Sequence, residues 1–213
     1  MSQLRDLLRR GGIYIALQRI IGADKLRHIC IDQLDLASGD TVADVGCGPA
    51  YYLDRLPMPL NYHGFDTEPR YIDWARKRWG DIATFHVGVF GPTQASKLPP
   101  IDAVLLLGVL HHLSDEESLQ LLALAAQSVA RSGRVVTVDT CFEPSQGRIS
   151  RWMARNDRGE YVREPGRFME LARTHFLNVA GELLSGVTRI PGSYWMMTLS
   201  DPRPGEPSAG PRP

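Results

Sequence analysis

Residues 41–49 read Thr-Val-Ala-Asp-Val-Gly-Cys-Gly-Pro, and this stretch decides the fold. A short apolar run ends at Asp44, the chain turns through Gly46 and Gly48, and Pro49 suits the first turn of a helix. Strand, glycine turn and helix start together form a cradle for a nucleotide-like ligand. Glycines let the backbone approach closely, and a helix N-terminus offers unpaired N–H groups. Asp66, in Tyr-His-Gly-Phe-Asp-Thr, ends the next apolar segment. A carboxylate at that spacing can accept both hydroxyls of a ribose.

The turn discriminates between two cofactor classes. A dinucleotide turn wants Gly-x-Gly-x-x-Gly so that a pyrophosphate lies flat on the helix N-terminus. Here the third position is Tyr51, whose ring would crowd a diphosphate, and Asp44 is awkward beside a double anion. An acid suits a cationic ligand end, such as the amino group and sulfonium of S-adenosylmethionine. At this point the chain resembles the class I S-adenosylmethionine-dependent methyltransferases. Val-Ala-Asp-Val-Gly-Cys-Gly-Pro matches their first motif, Gly-Phe-Asp-Thr their second, and Leu-Leu-Leu-Gly-Val-Leu-His-His-Leu, residues 105–113, the segment after their fourth strand. The resemblance spans roughly residues 40–140.

Bulk properties agree. A chain of 213 residues is long enough for one domain with a substantial core. Lys+Arg and Asp+Glu balance at 24 each, so no positive field invites nucleic acid. Cys30, Cys47 and Cys141 are odd in number and lack metal-ligand spacing, which fits reduced thiols in a cytoplasmic protein. The N-terminal residues lack the apolar stretch of a secretory signal, no run is long enough to span a bilayer, and no His, Asp or Glu grouping implies a metal.

Periodicity predicts two or three short helices within 1–36 that cover the cofactor site, then a methyltransferase domain over 37–200. Strands are expected near 41–45, 61–65, 83–87, 101–106 and 134–140. Helices are expected at 49–56, after Thr67 as N-cap, and after Ser114, whose Ser-Asp-Glu-Glu is a capping box. Alternation with short links implies a doubly wound, Rossmann-like α/β fold with a mostly parallel sheet. Segment 141–164 interrupts it as an insertion on the substrate side. A helix near 165–176 and strands near 177–184 and 193–200 follow. An antiparallel C-terminal strand there would complete the seven-stranded sheet of the resembled family. The proline-rich tail 201–213 is expected to be disordered.

By position in that family, Asp44, Gly46, Cys47 and Gly48 line the methionine end of the cofactor and Asp66 the ribose, with Thr67 and Tyr71 at the adenine edge. Asp44 and Asp66 could each instead cap a turn or a helix. The family often carries an Asp after strand three; this chain has Val87-Gly88-Val89-Phe90. Backbone groups of Gly88 and Val89 would then serve the adenine, with Phe90 as an apolar wall. Carbonyls of Leu107 and Gly108 would face the cofactor's amino group, and Tyr14 could close over the methionine end.

Methyl transfer from a sulfonium is an in-line displacement in which the protein aligns the nucleophile and excludes water. A hydroxyl acceptor is helped by a general base. His111, His112 and Asp139 are the candidates, although a His pair can equally hold a loop and Asp139 can bond backbone. Seven arginines lie between Arg148 and Arg173. Arg148, Arg151 and Arg158, with Trp152 and Tyr161, suit an acceptor bearing phosphate, carboxylate or a sugar ring. A solvated helix whose charges pair internally is the alternative. The segment resembles one in small bacterial methyltransferases of polysaccharide or glycolipid synthesis, which points to O-methylation of a small molecule or saccharide. The competing readings are a nicotinamide-dependent oxidoreductase and a non-catalytic partner subunit that keeps the fold.

Overall fold

The computed structural model describes residues 21–157 and 159–204. Helix α1 (Ala23–Asp32) precedes strand β1 (Thr41–Val45). Then come β2 (Asn61–Asp66), α2 (Pro69–Trp79), β3 (Thr84–Val87), a single turn α3 (Pro92–Ala95) and β4 (Ile101–Leu107). Helix α4 (Asp115–Ser128), β5 (Val129–Thr140), α5 (Arg148–Arg155), α6 (Pro165–Arg173), β6 (Phe176–Ser185) and β7 (Ser193–Pro202) complete the order.

The seven strands form one sheet in the order β3-β2-β1-β4-β5-β7-β6. β1 pairs in parallel with β2 and β4, β2 with β3, and β4 with β5. β7 runs antiparallel to both β5 and β6. This is the expected doubly wound sheet with its antiparallel C-terminal strand.

The continuous apolar run in β4 is explained by burial on both faces. Ala103, Leu105 and Leu107 point into a core formed with α1 and α2, where Leu26, Cys30, Ile72 and Ala75 pack. Ile101, Val104 and Leu106 point into the opposite core with Leu122 of α4 and Phe168 and Leu171 of α6. Burying Leu105 or Leu106 in full contributes roughly 2 kcal/mol each.

Several boundaries differ from the expectations. No α-helix starts at Pro49. Ala50 enters the left-handed region at φ 47°, and only a 3-10 turn, Leu53–Arg55, forms before the next prolines. The cap of α2 is Glu68, not Thr67; its side chain accepts from the Arg70 N–H. The Ser114–Glu117 capping box is present, but α4 stops at Ser128. β5 begins at Val129 and passes Gly133 through an irregularity in its pairing with β4. A Cβ on Gly133 would meet the Asp102 carbonyl at 2.5 Å, so the crossing backbone needs glycine there. β7 continues through Pro202, into what was expected to be tail. Helices before α1, Tyr14 and Arg158 lie outside the described residues. Among the described residues, no helix is long and apolar enough to cross a membrane.

Candidate functional site

The strand order reverses direction between β1 and β4, and the loops leaving their C-terminal ends diverge there. Ligands of open parallel sheets bind at that switch point. The glycine turn after β1 lies there. Gly46 and Gly48 take φ of 74° and 55°, and a Cβ on Gly46 would meet Val109 Cγ2 at 2.8 Å. Substitution is therefore strained by conformation and by space.

Asp66 ends β2 and bonds in both directions. Its Oδ2 accepts the Gly48 N–H at 2.8 Å and its Oδ1 the Glu68 N–H at 2.8 Å. The Gly46 and Cys47 N–H groups both donate to the Phe65 carbonyl. The carboxylate thus ties the turn after β1 to the start of α2. The residue stays partly accessible. Burial pushes its pKa up against the backbone donors Glu68, Gly48 and Thr67.

Asp44 is differently placed from the expectation. It is wholly buried, its Oδ2 accepting from the hydroxyls of Tyr52 at 2.6 Å and Tyr62 at 2.5 Å. It therefore sits behind the turn and does not line an open cradle. Its Oδ1 is buried without a hydrogen-bond partner among the described residues. Burial raises its pKa to about 6, against the two hydroxyls. Cys47 is corrected in the same way: its thiol is buried, and a Cβ on Gly64 would meet its Sγ at 2.8 Å. Arg27 of α1 donates to the Tyr51 hydroxyl, and its guanidinium lies 4.9 Å and 5.5 Å from the Tyr51 and Tyr52 ring centroids. A cleft beside this pair is lined by Asp24, His28, Tyr51, Tyr52, Asp54 and Arg55.

At the next strand ends, Gly88 takes φ 124° and its N–H donates to the Asp66 carbonyl. Val89 is 71% exposed, whereas Phe90 is 2% exposed, its ring 5.0 Å from that of Phe65. Phe90 belongs to the core and forms no ligand wall; Val89 is the accessible apolar residue. Gly108, at φ 77°, donates its N–H to the Val138 carbonyl, with Leu107 buried beside it. Thr67 is exposed and Tyr71 half-buried at the start of α2.

His111 and Asp139 form a closed cluster. Asp139 Oδ1 bonds His111 Nδ1 at 2.8 Å and accepts the His111 backbone N–H at 3.1 Å. The other ring nitrogen, Nε2, lies 3.4 Å from Asp157 Oδ1. Asp157 also accepts from the Gly159 N–H and the Thr140 hydroxyl, and Tyr161 N–H donates to the His111 carbonyl. Burial opposes the charge on His111, but the two carboxylates override it and raise its pKa to about 9. Asp157 is held down at about 2; burial works against this, but the His111 bond and the Gly159 N–H prevail. His111 is therefore a cation at neutral pH with both nitrogens engaged, and Asp139 is occupied in holding it. Neither is the general base expected from the sequence. His112 is exposed, its ring centroid 4.1 Å from that of His111.

The arginines divide into two groups. Arg163 is buried and saturated, bonding Asp115 and the carbonyls of Leu110, Leu113 and Tyr161. Arg167 pairs with Asp115 and Glu170. Arg163 fastens the end of the insertion, and Arg167 the start of α6, to α4. Arg148, Trp152 and Tyr161 are exposed, and Arg151 donates to the Glu143 carbonyl. Among the described residues, no group of three or more His, Cys, Asp or Glu could hold a metal ion.

Residues that sequence reasoning missed are Arg27, Tyr52, Tyr62 and Asp157. Tyr52 and Tyr62 carried one readable signal, polar-tipped rings in apolar surroundings around an acid. Arg27 and Asp157 carried none.

With this geometry in place, the comparisons are consistent. Residues 42–133 match the methyltransferase domain family. Among curated proteins no sequence relative matches. A chain of the complex between the Haloferax volcanii Trm112 methyltransferase activator and the putative methyltransferase superposes with TM-score 0.71 at 18% identity, over 93% of this chain and 97% of that one. Human N-acetylserotonin methyltransferase, solved with its methyl donor, gives 0.64 at 16%, over 92% and 55%. Geranyl diphosphate C-methyltransferase from Streptomyces coelicolor A3(2) gives 0.60 at 15%, over 83% and 78%. The chain thus spans little more than half the length of the human enzyme. Residues 42–133 carry the match to a methyltransferase domain, on a fold shared with class I, S-adenosylmethionine-dependent enzymes.

Proposed function

We propose that the chain transfers the methyl group of S-adenosylmethionine to a small-molecule or saccharide acceptor, with a hydroxyl oxygen as nucleophile. The observation that carries the cofactor half is Asp66. It stands partly accessible at the switch point, next to a turn kept bare by Gly46 and Gly48. The residues present fit the cofactor. Asp66 would hold the ribose hydroxyls, backbone at Gly48 and Gly108 the methionine end, and Gly88 with Val89 the adenine. A Cβ on Gly88 would meet nothing within 4 Å, so the backbone there is open to a flat ring. Asp44, with its unpartnered Oδ1, acts from behind the turn as a fixed negative charge that favours a cationic ligand end.

When bound, the cofactor supplies an already activated methyl group. The chain's own contribution is alignment and exclusion of water. His111, ion-paired with Asp139 and Asp157, holds the segment around Gly159 and Tyr161 against the end of β4. With His111 and Asp139 committed to each other, His112 is proposed to receive the proton of the acceptor hydroxyl. Arg148, Arg151, Trp152 and Tyr161 are proposed to receive the acceptor, with Arg158. Incubation with labelled S-adenosylmethionine and candidate hydroxyl acceptors, with product identification by mass spectrometry, tests the reading. Label on carbon or nitrogen instead of oxygen would replace the acceptor half while keeping the cofactor half.

A further inference from the structure

Helix α5 has its polarity turned inside out. Its buried stripe is Ser150 and Ala154, while Ile149 and Trp152 are 63% and 65% exposed. At about 100° per residue, Trp152, Ile149 and Met153 form one apolar arc, and Arg155 and Arg148 form the row along its border, with Arg151 next to them. Between Glu143 and Asp157 the chain carries no acid, so three guanidiniums concentrate on eight residues of a molecule whose formal net charge is zero. A core helix would bury isoleucine and tryptophan and expose serine, so packing does not account for this arrangement.

We propose that α5 is a docking surface for an anionic phospholipid membrane. An indole and an isoleucine beside an arginine row match the two layers of a lipid interface, with apolar side chains in the acyl boundary and guanidiniums among phosphates. Charge complementarity selects this occupant over two others. A second copy related by a two-fold axis would set like arginine rows against each other. The chain's own first twenty residues carry Arg5, Arg9, Arg10 and Arg19 against Asp6 alone, and so repel the same row. Arg148, Arg151 and Trp152 are shared with the acceptor site proposed above, and vesicle binding measured without cofactor or acceptor separates the two uses of this face.

The test is co-sedimentation of the full chain with phosphatidylcholine vesicles, with and without phosphatidylglycerol, together with fluorescence quenching by brominated acyl chains. Partition onto the anionic vesicles and quenching of a tryptophan signal that is missing in Trp152→Phe are expected. Arg148→Glu with Arg155→Glu should lower partition about tenfold or more, and salt should do the same. All these side chains are at the surface, and an unchanged circular dichroism spectrum checks that the fold persists. No partition at low ionic strength overturns the proposal. So does binding that survives both the charge reversal and Trp152→Ser, or self-association in sedimentation velocity that Trp152→Ser abolishes, or capture by an acidic peptide in preference to vesicles.

Discussion

Asp44 acts on the turn from a wholly buried position, bonded by Tyr52 and Tyr62. Its folded pKa of about 6 lies above the ordinary carboxylate value, because burial outweighs the two tyrosine hydroxyls. The folded state therefore holds the proton more tightly than the unfolded chain does. The resulting stability is complete in acid and is lost as pH rises from about 4 to about 6. Above that range the ionised carboxylate is a cost on the order of 2–3 kcal/mol. Asp44→Asn keeps an acceptor for Tyr52 and Tyr62 without the charge. It is expected to raise the melting midpoint at pH 8 and to leave it near the wild-type value at pH 4, as differential scanning calorimetry would read. A uniform shift at both pH values would remove the ionised carboxylate from the account. The cationic ligand loses its counter-charge in that variant, so affinity for S-adenosylhomocysteine, which lacks the sulfonium, should fall less than affinity for S-adenosylmethionine. Asp66 works by contact. Asp66→Ala removes an acceptor from both the Gly48 and Glu68 N–H groups, and should weaken cofactor binding by about 1–3 kcal/mol in a calorimetric titration. Unchanged affinity would reassign the ribose.

The element that joins the catalytic edge to the insertion is the segment after α5, latched onto His111 through Asp157, Gly159 and Tyr161. A Cβ on Gly159 would meet His111 Cδ2 at 2.1 Å, so the two chains are in closest approach there. The His111 pKa of about 9 is raised from its unfolded value, so its contribution is full below about 6.5 and is lost as pH rises through 9. For Asp157, held down at about 2, the contribution is present above about 4 and lost as pH falls through 2. The Asp157 shift and part of the His111 shift, whose other part comes from Asp139, belong to one ion pair, and the latch is closed from about pH 4 to 6.5 and opens as pH rises through about 9. Amide hydrogen exchange in residues 159–163, corrected for intrinsic rates, should therefore quicken between pH 6.5 and 9.5 and stay flat in Asp157→Asn. Equal pH dependence in both proteins would show that the pair does not control the segment. Nothing in the sequence spacing announced this latch. His111 and Asp139 were readable as candidates by position, one after β4 and the other near the end of β5. Asp157 reaches them from an irregular segment whose course is set by Arg163 and its carbonyl partners, a tertiary arrangement without period.

The same distinction holds for the whole molecule. Every strand and the reversal point were legible, since apolar runs, glycine turns and a capping box act over a few residues. The failures came where a neighbour distant in sequence decided the outcome. Ala50 was drawn into the left-handed region instead of a helix, Phe90 was taken into the core by Phe65, and Asp44 was closed off by Tyr52 and Tyr62. One consequence applies to the fold as a unit. The loops after β1, β2, β3 and β4 meet at one edge, and a ligand that bridges them must bind the folded chain and not the unfolded one. At a hundredfold excess over its dissociation constant such a ligand adds about 2.7 kcal/mol. For a chain of this size that corresponds to a rise of roughly 5–10 °C in the melting midpoint. S-adenosylhomocysteine is expected to produce this rise, NAD to produce none, and Asp66→Ala to show little of it at the same ligand concentration. A rise with NAD alone would return the molecule to the oxidoreductases. No rise with either ligand would leave the methyltransferase fold serving as a partner subunit.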